Sequence, residues 1–301
     1  MIYVIGHKNP DTDSIVSAMA YAWYLNQKGI EALSARNGEI NSETKFVLEK
    51  FGFDSPLLLE GADGQKLILV DHNEKEQQPL GNFEILEIWD HHKFNFSYSE
   101  SIFIRSEPIG STATLLTKHF FEEQINIPQN LAGILLSAIL SDTVIFKSST
   151  TTETDKEIAQ KLNEKWHFNL EEFGIEIKKA GLDPTLSIKE FILRDIKEYN
   201  FSGKKIGIGQ IELVGIIKEF LEKREEILEK AKEIKQENNY DCLILAVTDI
   251  IKEGSEMFVI GEEEKIESVF NQKLENGSFW VNGLLSRKKQ IVPALENIFK
   301  K

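Results

Sequence analysis

The sequence predicts an α/β protein with an N-terminal parallel sheet flanked by helices and a smaller C-terminal mixed α/β domain. Through the first half, short apolar runs alternate with helical patterns, which is typical of a parallel sheet covered by helices. The stretch AGLDPTLS at 180–187 contains Gly and Pro between charged helical segments, as linkers often do. Beyond it, the apolar runs and charged segments follow one another in a different order, which indicates a second domain.

In the first half, the predicted elements come in a regular succession. A strand in YVIG is followed by a helix from about Ser14 to Lys28, and two further strands lie in LILVD at 67–71 and EILEIWD at 84–90. One helix follows the Gly-Ser-Thr turn at 110–112, and another runs from about Gln129 to Leu140 and ends at SDT. This succession predicts that the carboxyl ends of several strands meet at one edge of the sheet.

The second half predicts strands in KIGIGQIEL, CLILAVTDI, EMFVIG and SFWVNG. Between the first two lies a densely charged segment at 218–239. Its apolar residues recur at helical spacing, so we expect one exposed amphipathic helix there. The residues of that stripe are Phe220, Leu221, Ile227, Leu228, Ala231 and Ile234.

Composition excludes several classes of protein. The 301 residues are 41% hydrophobic, enough for a sizeable core in one or two domains. No apolar run approaches the roughly 20 residues that span a bilayer, and MIYVIG is too short for a secretory signal. We therefore expect a cytoplasmic protein. The net charge of −14 argues against non-specific binding to nucleic acid, and the single cysteine, Cys242, is predicted to be buried and inert.

Acidic and histidine side chains follow the ends of the predicted elements. His7, Asp11 and Asp13 come after the first strand, Asp71 after the second, Asp90, His91 and His92 after the third, and Asp142 at the end of an apolar helix. Taken singly, each has an ordinary explanation as a helix cap, a turn residue or a packed imidazole. Because the strand ends share one edge, we expect these side chains to converge.

Converging carboxylates require cations between them or raised pKa values. Imidazoles with carboxylates and no thiolate favour manganese, cobalt, iron or magnesium over a structural zinc. The number of carboxylates predicts two ions, with Asp71 as the shared ligand. A bridging hydroxide between ions about 3.5–4 Å apart is a common nucleophile for attack on phosphorus.

The motifs GHKNPDTDS, DHNE, DHH and SDT, in this order, resemble the DHH phosphoesterase superfamily. Together with SRKKQ at 286–290, they resemble the manganese-dependent family II inorganic pyrophosphatases over essentially the whole chain. The resemblance implies a DHH metal-binding catalytic domain at 1–181, a linker or hinge at 182–187 and a DHHA2-like substrate-binding domain at 188–301. It also implies an active site in the cleft between the two domains.

The resemblance assigns a role to each site residue. His7, Asp11 and Asp71 would hold one manganese, while Asp13, Asp71, His91 and Asp142 would hold the second. His92 would contact a substrate phosphate, and Asp90 would orient an imidazole. Lys197, Arg287 and Lys288 would hold the leaving phosphate. Cobalt could replace manganese, an additional magnesium would arrive with pyrophosphate, and the chain would form a homodimer through its N-terminal domain.

Three alternatives share the predicted metal site. A DHH-type oligonucleotide phosphodiesterase should carry a glycine-rich nucleotide-binding motif, which GKKIGIGQ does not resemble because it begins a strand. A polyphosphatase would share both the metals and the basic residues. A non-catalytic metal-dependent binding module would lack a substrate cation, yet the sequence retains all of them.

Overall fold

A computed structural model describes residues 1–181, 187–193 and 195–299. The chain divides into two units, Met1–Leu182 and Asp183–Lys301. Of the predicted hinge at 182–187, only Ser187 lies inside the described residues. The hinge and the domain limits therefore stay predictions.

The N-terminal unit is built on a parallel sheet, as predicted. Within its described residues, six strands pair in the order β3-β2-β1-β4-β5-β6, every pair being parallel. The chain first builds outward from β1 on one side and then crosses to β4 on the other, so the order reverses between β1 and β4. Open α/β sheets bind ligands at such a reversal. The strands are β1 Ile2–Lys8, β2 Ala32–Asn37, β3 Leu57–Leu58, β4 Lys66–Val70, β5 Glu84–Asp90 and β6 Phe103–Ser106.

Helices cover this sheet. The apolar composition of α4 explains its position, because nearly all of its side chains are buried. Its last residue, Asp142, is only partly buried. The helices of this unit are α1 Thr12–Gln27, α2 Ser42–Phe51, α3 Thr112–Glu122, α4 Gln129–Asp142, α5 Glu153–Asn163 and α6 Leu170–Ala180, and a short 3₁₀ turn spans Lys75–Gln77.

The C-terminal unit contains a mixed sheet in the order β11-β10-β9-β8-β7. Strands β8 and β9 are parallel, and the remaining pairs are antiparallel. Its elements are α7 Ile188–Leu193, β7 Ile196–Phe201, β8 Lys204–Leu213, α8 Ile217–Leu221, α9 Arg224–Glu237, β9 Cys242–Asp249, β10 Gly254–Ile260, α10 Glu263–Phe270, β11 Ser278–Asn282, a π-helical segment Arg287–Ile291 and α11 Val292–Phe299.

The prediction of one continuous helix at 218–239 is wrong. The structure has α8 and α9, with Glu222 and Lys223 between them. The stretch EKREE at 222–226 contains no apolar residue, so a full turn of helix would have nothing to bury. In α9 the predicted stripe is confirmed at Ile227, Ala231 and Ile234, which are buried.

Cys242 is buried, as predicted. Burial raises the pKa of its thiol to about 12, which makes the thiol unreactive near neutral pH. In the described part of the chain, no helix has both the length and the apolar character needed to cross a membrane.

Candidate metal centre

Six predicted ligands lie together at the edge where the sheet order reverses. His7 belongs to the end of β1, Asp11 and Asp13 to the start of α1, Asp71 follows β4, His91 follows β5, and Asp142 ends α4. Because β1 and β4 are neighbouring parallel strands, His7 and Asp71 reach the same edge. The structure thus brings together every residue that was predicted to ligate metal.

Asp71 stands between two groups of ligand atoms. Its Oδ2 lies 3.4 Å from His7 Nε2, which is in turn 3.6 Å from Asp11 Oδ1. Its Oδ1 lies 3.5 Å from His91 Nε2, which is 3.3 Å from Asp142 Oδ2. One carboxylate therefore faces both groups, each oxygen toward a different imidazole.

Potential ligand atoms fall within 4.8 Å of one another in three sets among the described residues. One set is His7, Asp11 and Asp71, and a second is Asp13, His91 and Asp142. The first set matches the ligands predicted for one manganese. The second matches those predicted for the other manganese, except that it lacks Asp71, which was predicted to be shared. The third set combines Asp71 and His91 with His92.

Local backbone geometry places the first acidic residues. Asn9 adopts a positive φ of 54° before Pro10, and this turn leads into α1, whose N-cap is Asp11. The backbone N of Ser14 donates to Asp11 Oδ1 at 2.9 Å, and the backbone N of His7 donates to Ser14 Oγ at 2.9 Å. Asp71 has a φ of 63°, so the chain turns sharply after β4 and presents its carboxylate at the sheet edge.

The imidazoles are oriented as metal-binding histidines usually are. Nδ1 of His7 donates to the carbonyl of Lys8 at 2.9 Å, and Nδ1 of His91 donates to the carbonyl of Ile109 at 2.9 Å. Each bond leaves Nε2 facing the cluster, an arrangement that orients imidazole ligands in metalloproteins once that nitrogen is deprotonated.

Asp13 is bound at the N-terminus of α3. Its carboxylate accepts from the backbone N of Thr112 at 2.6 Å, the backbone N of Ala113 at 2.9 Å and Ser111 Oγ at 3.2 Å. Helix N-termini stabilise negative charge. Thr112 Oγ1 also donates to Asp71 Oδ1 at 2.9 Å. Sequence analysis missed these donors because it treated the Gly-Ser-Thr turn only as a helix start, and a Ser N-cap does not show which side chain lies at the helix N-terminus.

Without bound cations, the carboxylates of the cluster repel one another, so burial and this repulsion both contribute to the raised pKa values of Asp13 and Asp142. Burial, together with the charge of Asp71, raises the pKa of Asp142 to about 7. Burial and the charges of Asp71 and Asp142 also raise the pKa of Asp13 well above its usual value. Burial opposes ionisation of Asp71 too, but the imidazoles of His7 and His91, whose Nε2 atoms lie 3.4 and 3.5 Å from its oxygens, outweigh it and lower the pKa of that carboxyl.

The two imidazoles carry positive charge that partly balances these acids. Burial alone would lower the pKa of His7, but the carboxylates of Asp11 and Asp71, 3.6 and 3.4 Å from its Nε2, raise it to about 11. The same balance raises the pKa of His91 to about 10. His91 Nε2 and Asp142 Oδ2 are nevertheless buried and, among the described residues, lack hydrogen-bond partners. A donor set of four carboxylates and two imidazoles with such atoms fits divalent cations.

His92 is half-exposed beside the cluster and is held by a carboxylate. Its Nδ1 lies 2.9 Å from Asp90 Oδ1, and this hydrogen bond raises the pKa of His92. Asn73 Nδ2 donates to Asp90 Oδ2 at 2.6 Å, a contact that sequence analysis did not find. Nε2 is therefore the His92 nitrogen available to a ligand.

The predicted substrate cations of the C-terminal unit differ in accessibility. Lys288 and Lys197 are exposed, whereas Arg287 is 7% exposed. The Arg287 guanidinium donates to both carboxylate oxygens of Asp195 at 2.8 and 3.0 Å, and to the carbonyls of Asp195 and Ile208 at 2.6 and 3.1 Å. In this structure Arg287 is thus engaged inside its own unit.

Comparisons with known proteins match both units. The DHH family N-terminal domain matches residues 1–139, and the DHHA2 domain matches residues 175–298. The manganese-dependent inorganic pyrophosphatase of Methanocaldococcus jannaschii is 45% identical over 99% of each chain. That of Bacillus subtilis is 41% identical over 98% of this chain and 97% of its own. A crystal structure from Methanococcus jannaschii, assigned to the family II inorganic pyrophosphatases, is similar over 100% of both chains with a TM-score of 0.62 and 45% identity.

Manganese should stabilise the protein more at about pH 8 than at about pH 5.5. The raised pKa of Asp142 means that the folded metal-free protein binds a proton that the unfolded chain lacks, so its stability falls as pH rises from about 4 to 7. Metal requires deprotonated ligands, so its contribution grows over the same range. At 100 times Kd, each site should add about 2.7 kcal/mol.

Thermal unfolding with and without manganese at both pH values measures this difference. Asp142→Asn should lose only part of the pH-dependent difference, because the metal also displaces protons from His7, His91 and Asp13, whose pKa values are raised as well. Equal stabilisation of the wild type at both pH values would contradict the assignment.

Proposed function

Because this chain belongs to the family of manganese-dependent inorganic pyrophosphatases, we propose that it hydrolyses inorganic pyrophosphate to two phosphates at the cluster around Asp71. The observation that carries this proposal is the position of Asp71, with one oxygen facing each imidazole group. Such a carboxylate is suited to two cations that share a ligand.

The ligand sets follow the two groups of atoms. In this proposal His7, Asp11 and Asp71 hold one manganese, and Asp13, Asp71, His91 and Asp142 hold the second. Cobalt could take either place, since both ions accept nitrogen and oxygen ligands, and an additional magnesium would accompany the substrate. Bound there, the pair would supply Lewis acidity and an activated water for attack on phosphorus.

The chain's own residues position the substrate. Asp90 fixes the His92 ring, so that Nε2 can donate to a phosphate oxygen. Lys197, Arg287 and Lys288 would stabilise the negative charge of the departing phosphate. Arg287 would have to exchange the Asp195 carboxylate, which accepts both of its hydrogen bonds from Nη2, for phosphate. The guanidinium permits this exchange because carboxylate and phosphate oxygens accept the same N–H donors.

We also propose that the chain forms a homodimer through the N-terminal unit. Strand β6 pairs only with β5 among the described strands, and its Phe103 and Ile104 are exposed. An apolar edge strand is a template for pairing with another chain. A cytoplasmic location stays a prediction of the sequence.

Asp71→Asn should abolish pyrophosphate hydrolysis. The substitution removes the charge that both groups share, and a loss of several kcal/mol in stabilisation of the transition state corresponds to a rate loss of about a thousandfold or more. Phosphate release from pyrophosphate, tripolyphosphate and a dinucleotide measures both the loss and the substrate class. Asp54→Asn, at an exposed position of the same unit, is the control. Near-native rates in Asp71→Asn would contradict the bridging role, and faster cleavage of the dinucleotide or of tripolyphosphate would contradict the substrate.

Lys288→Ala should lower kcat/KM for pyrophosphate by about 10- to 100-fold, because a hydrogen bond to a charged group contributes about 1.5–3 kcal/mol. Lys289→Ala is its matched control, since Lys289 is the adjacent exposed lysine with the same charge. Steady-state kinetics at saturating manganese separates the two variants. Equal losses would indicate that the two lysines act only through general electrostatic attraction.

Ile104→Glu should convert the dimer to a monomer, because it places a charge on the apolar edge strand. Sedimentation measures the change as a halving of mass. Leu80→Glu is the control, since Leu80 is 80% exposed in the same unit but outside β6. A wild-type monomer, or a dimer that survives in Ile104→Glu, would contradict this interface.

A further inference from the structure

We propose that Glu43, paired with Lys178, positions the metal ligands by holding the segment that carries Asp11 and Asp13 against the segment that carries Asp142. The inference rests on the ligand assignment proposed above. It concerns side chains that do not themselves belong to the cluster. Glu43 lies in the first turn of α2, and Lys178 lies in the last turn of α6.

One carboxylate contacts both ligand-bearing segments. Thr12 Oγ1 donates to Glu43 Oε1 at 2.8 Å, and Ser141 Oγ donates to the same oxygen. Lys178 Nζ donates to Glu43 Oε2 at 3.0 Å and to Ser141 Oγ at 2.9 Å. Thr12 stands between Asp11 and Asp13 in the chain, and Ser141 directly precedes Asp142. Displacing Glu43 would therefore loosen both segments together, leaving Thr12 with its contact to Thr44 Oγ1 and Ser141 with its contact to Lys178.

The burial of this pair supports a specific role. The Glu43 side chain is 12% exposed and that of Lys178 is 21% exposed. Removing two charges from water costs free energy that their attraction repays only with good geometry and additional hydrogen bonds. Thr12 and Ser141 supply those bonds, so the pair is a directional contact, which an apolar contact between the same helices could not provide.

Helix α6 also packs against the turn that follows Asp142 in the chain. The turn after Asp142 contains three consecutive residues with positive φ, Val144 at 49°, Ile145 at 54° and Phe146 at 63°. Positive φ is strained for β-branched residues and persists only where the surroundings enforce it. Ile145 packs against Gly174 of α6, where an added Cβ would lie 2.6 Å from Ile145 Cγ1. The same helix thus restrains the chain on both sides of Asp142, through Lys178 before it and Gly174 after it.

Loss of Glu43 should mainly weaken binding of the second cation, which Asp13, His91 and Asp142 would hold. Asp13 is also fixed by α3, so loss of Glu43 should chiefly shift Asp142. Removal of groups that orient metal ligands typically costs about 10- to 100-fold in metal affinity. We therefore expect the second manganese to bind about 10- to 100-fold more weakly in Glu43→Gln, while the first, at His7, Asp11 and Asp71, changes less.

The test is a manganese titration of the full-length protein by calorimetry and electron paramagnetic resonance. Two ions that share a carboxylate give an exchange-coupled spectrum, whereas a singly occupied site gives the six-line spectrum of isolated manganese. Glu43→Gln should show the isolated signal at manganese concentrations that saturate the wild type. Excess manganese should restore the coupled spectrum.

Glu176→Gln is the matched control. Lys50 Nζ donates to Glu176 Oε1 at 2.9 Å, which joins the same two helices, α2 and α6. In the contacts that the structure describes, this pair does not involve Thr12 or Ser141. A loss of affinity in Glu43→Gln but not in Glu176→Gln supports positioning, and equal effects overturn it in favour of general helix packing.

Lys178→Met provides a second variant if Glu43→Gln does not fold, and it should weaken the second site in the same direction. Unchanged affinity in a folded variant overturns the inference alone. A wild type that binds two manganese ions but does not cleave pyrophosphate overturns the proposed function and leaves the comparison of variants valid.

Discussion

The mutual repulsion of Asp11, Asp13, Asp71 and Asp142 is the constraint around which the N-terminal unit is organised. Each carboxylate is held by a different part of the chain, so the repulsion is opposed by the fold as a whole. Asp13 receives the amides of a helix N-terminus, and Asp71 receives two imidazoles and a threonine hydroxyl. What remains unbalanced, as the raised pKa values of Asp13 and Asp142 indicate, is the part that a bound cation would neutralise.

The strands that carry this cluster were predictable because they are central. Strands β1, β4 and β5 have neighbours on both sides, and β4 is buried at four of its five residues, so each gives a nearly continuous apolar run. Strands β2, β3 and β6 were missed, although β2 also lies between two neighbours, β3 and β1. They have partly exposed faces, and β3 has only two residues. Their sequences therefore lack the signal that full burial produces, and pairing with an inner strand determines their conformation.

The ligand types were predictable for the same reason, because they follow strands and helices that the apolar pattern locates. The groups that orient them were not. Thr112, Asn73 and Glu43 each contact residues that are distant in the chain, and their residue types are common at surfaces and caps. Arg287 is another residue whose contact could not be predicted from the sequence. Its type suggests a phosphate contact, but its partner Asp195 lies 92 residues away, and only the three-dimensional structure brings the two together.

The pairing of Arg287 with Asp195 limits which anions could bind to the Arg287 guanidinium. The guanidinium is already desolvated and already holds a carboxylate through two hydrogen bonds. A competing anion therefore gains only the difference between its own contacts and those of Asp195. A phosphate group of higher charge than a carboxylate can supply that difference, whereas a singly charged anion of similar shape gains little.

Charge also determines the order of events at the proposed metal cluster. A pyrophosphate that approached the cation-free cluster would meet four carboxylates, two of them buried to 2% exposure or less, and the interaction between like charges is strong where water is excluded. Cations bound between the carboxylates reverse the sign of that field. Under the proposed ligand assignment, the acidic cluster would repel the substrate when empty and attract it when loaded, so the two manganese ions would bind before pyrophosphate.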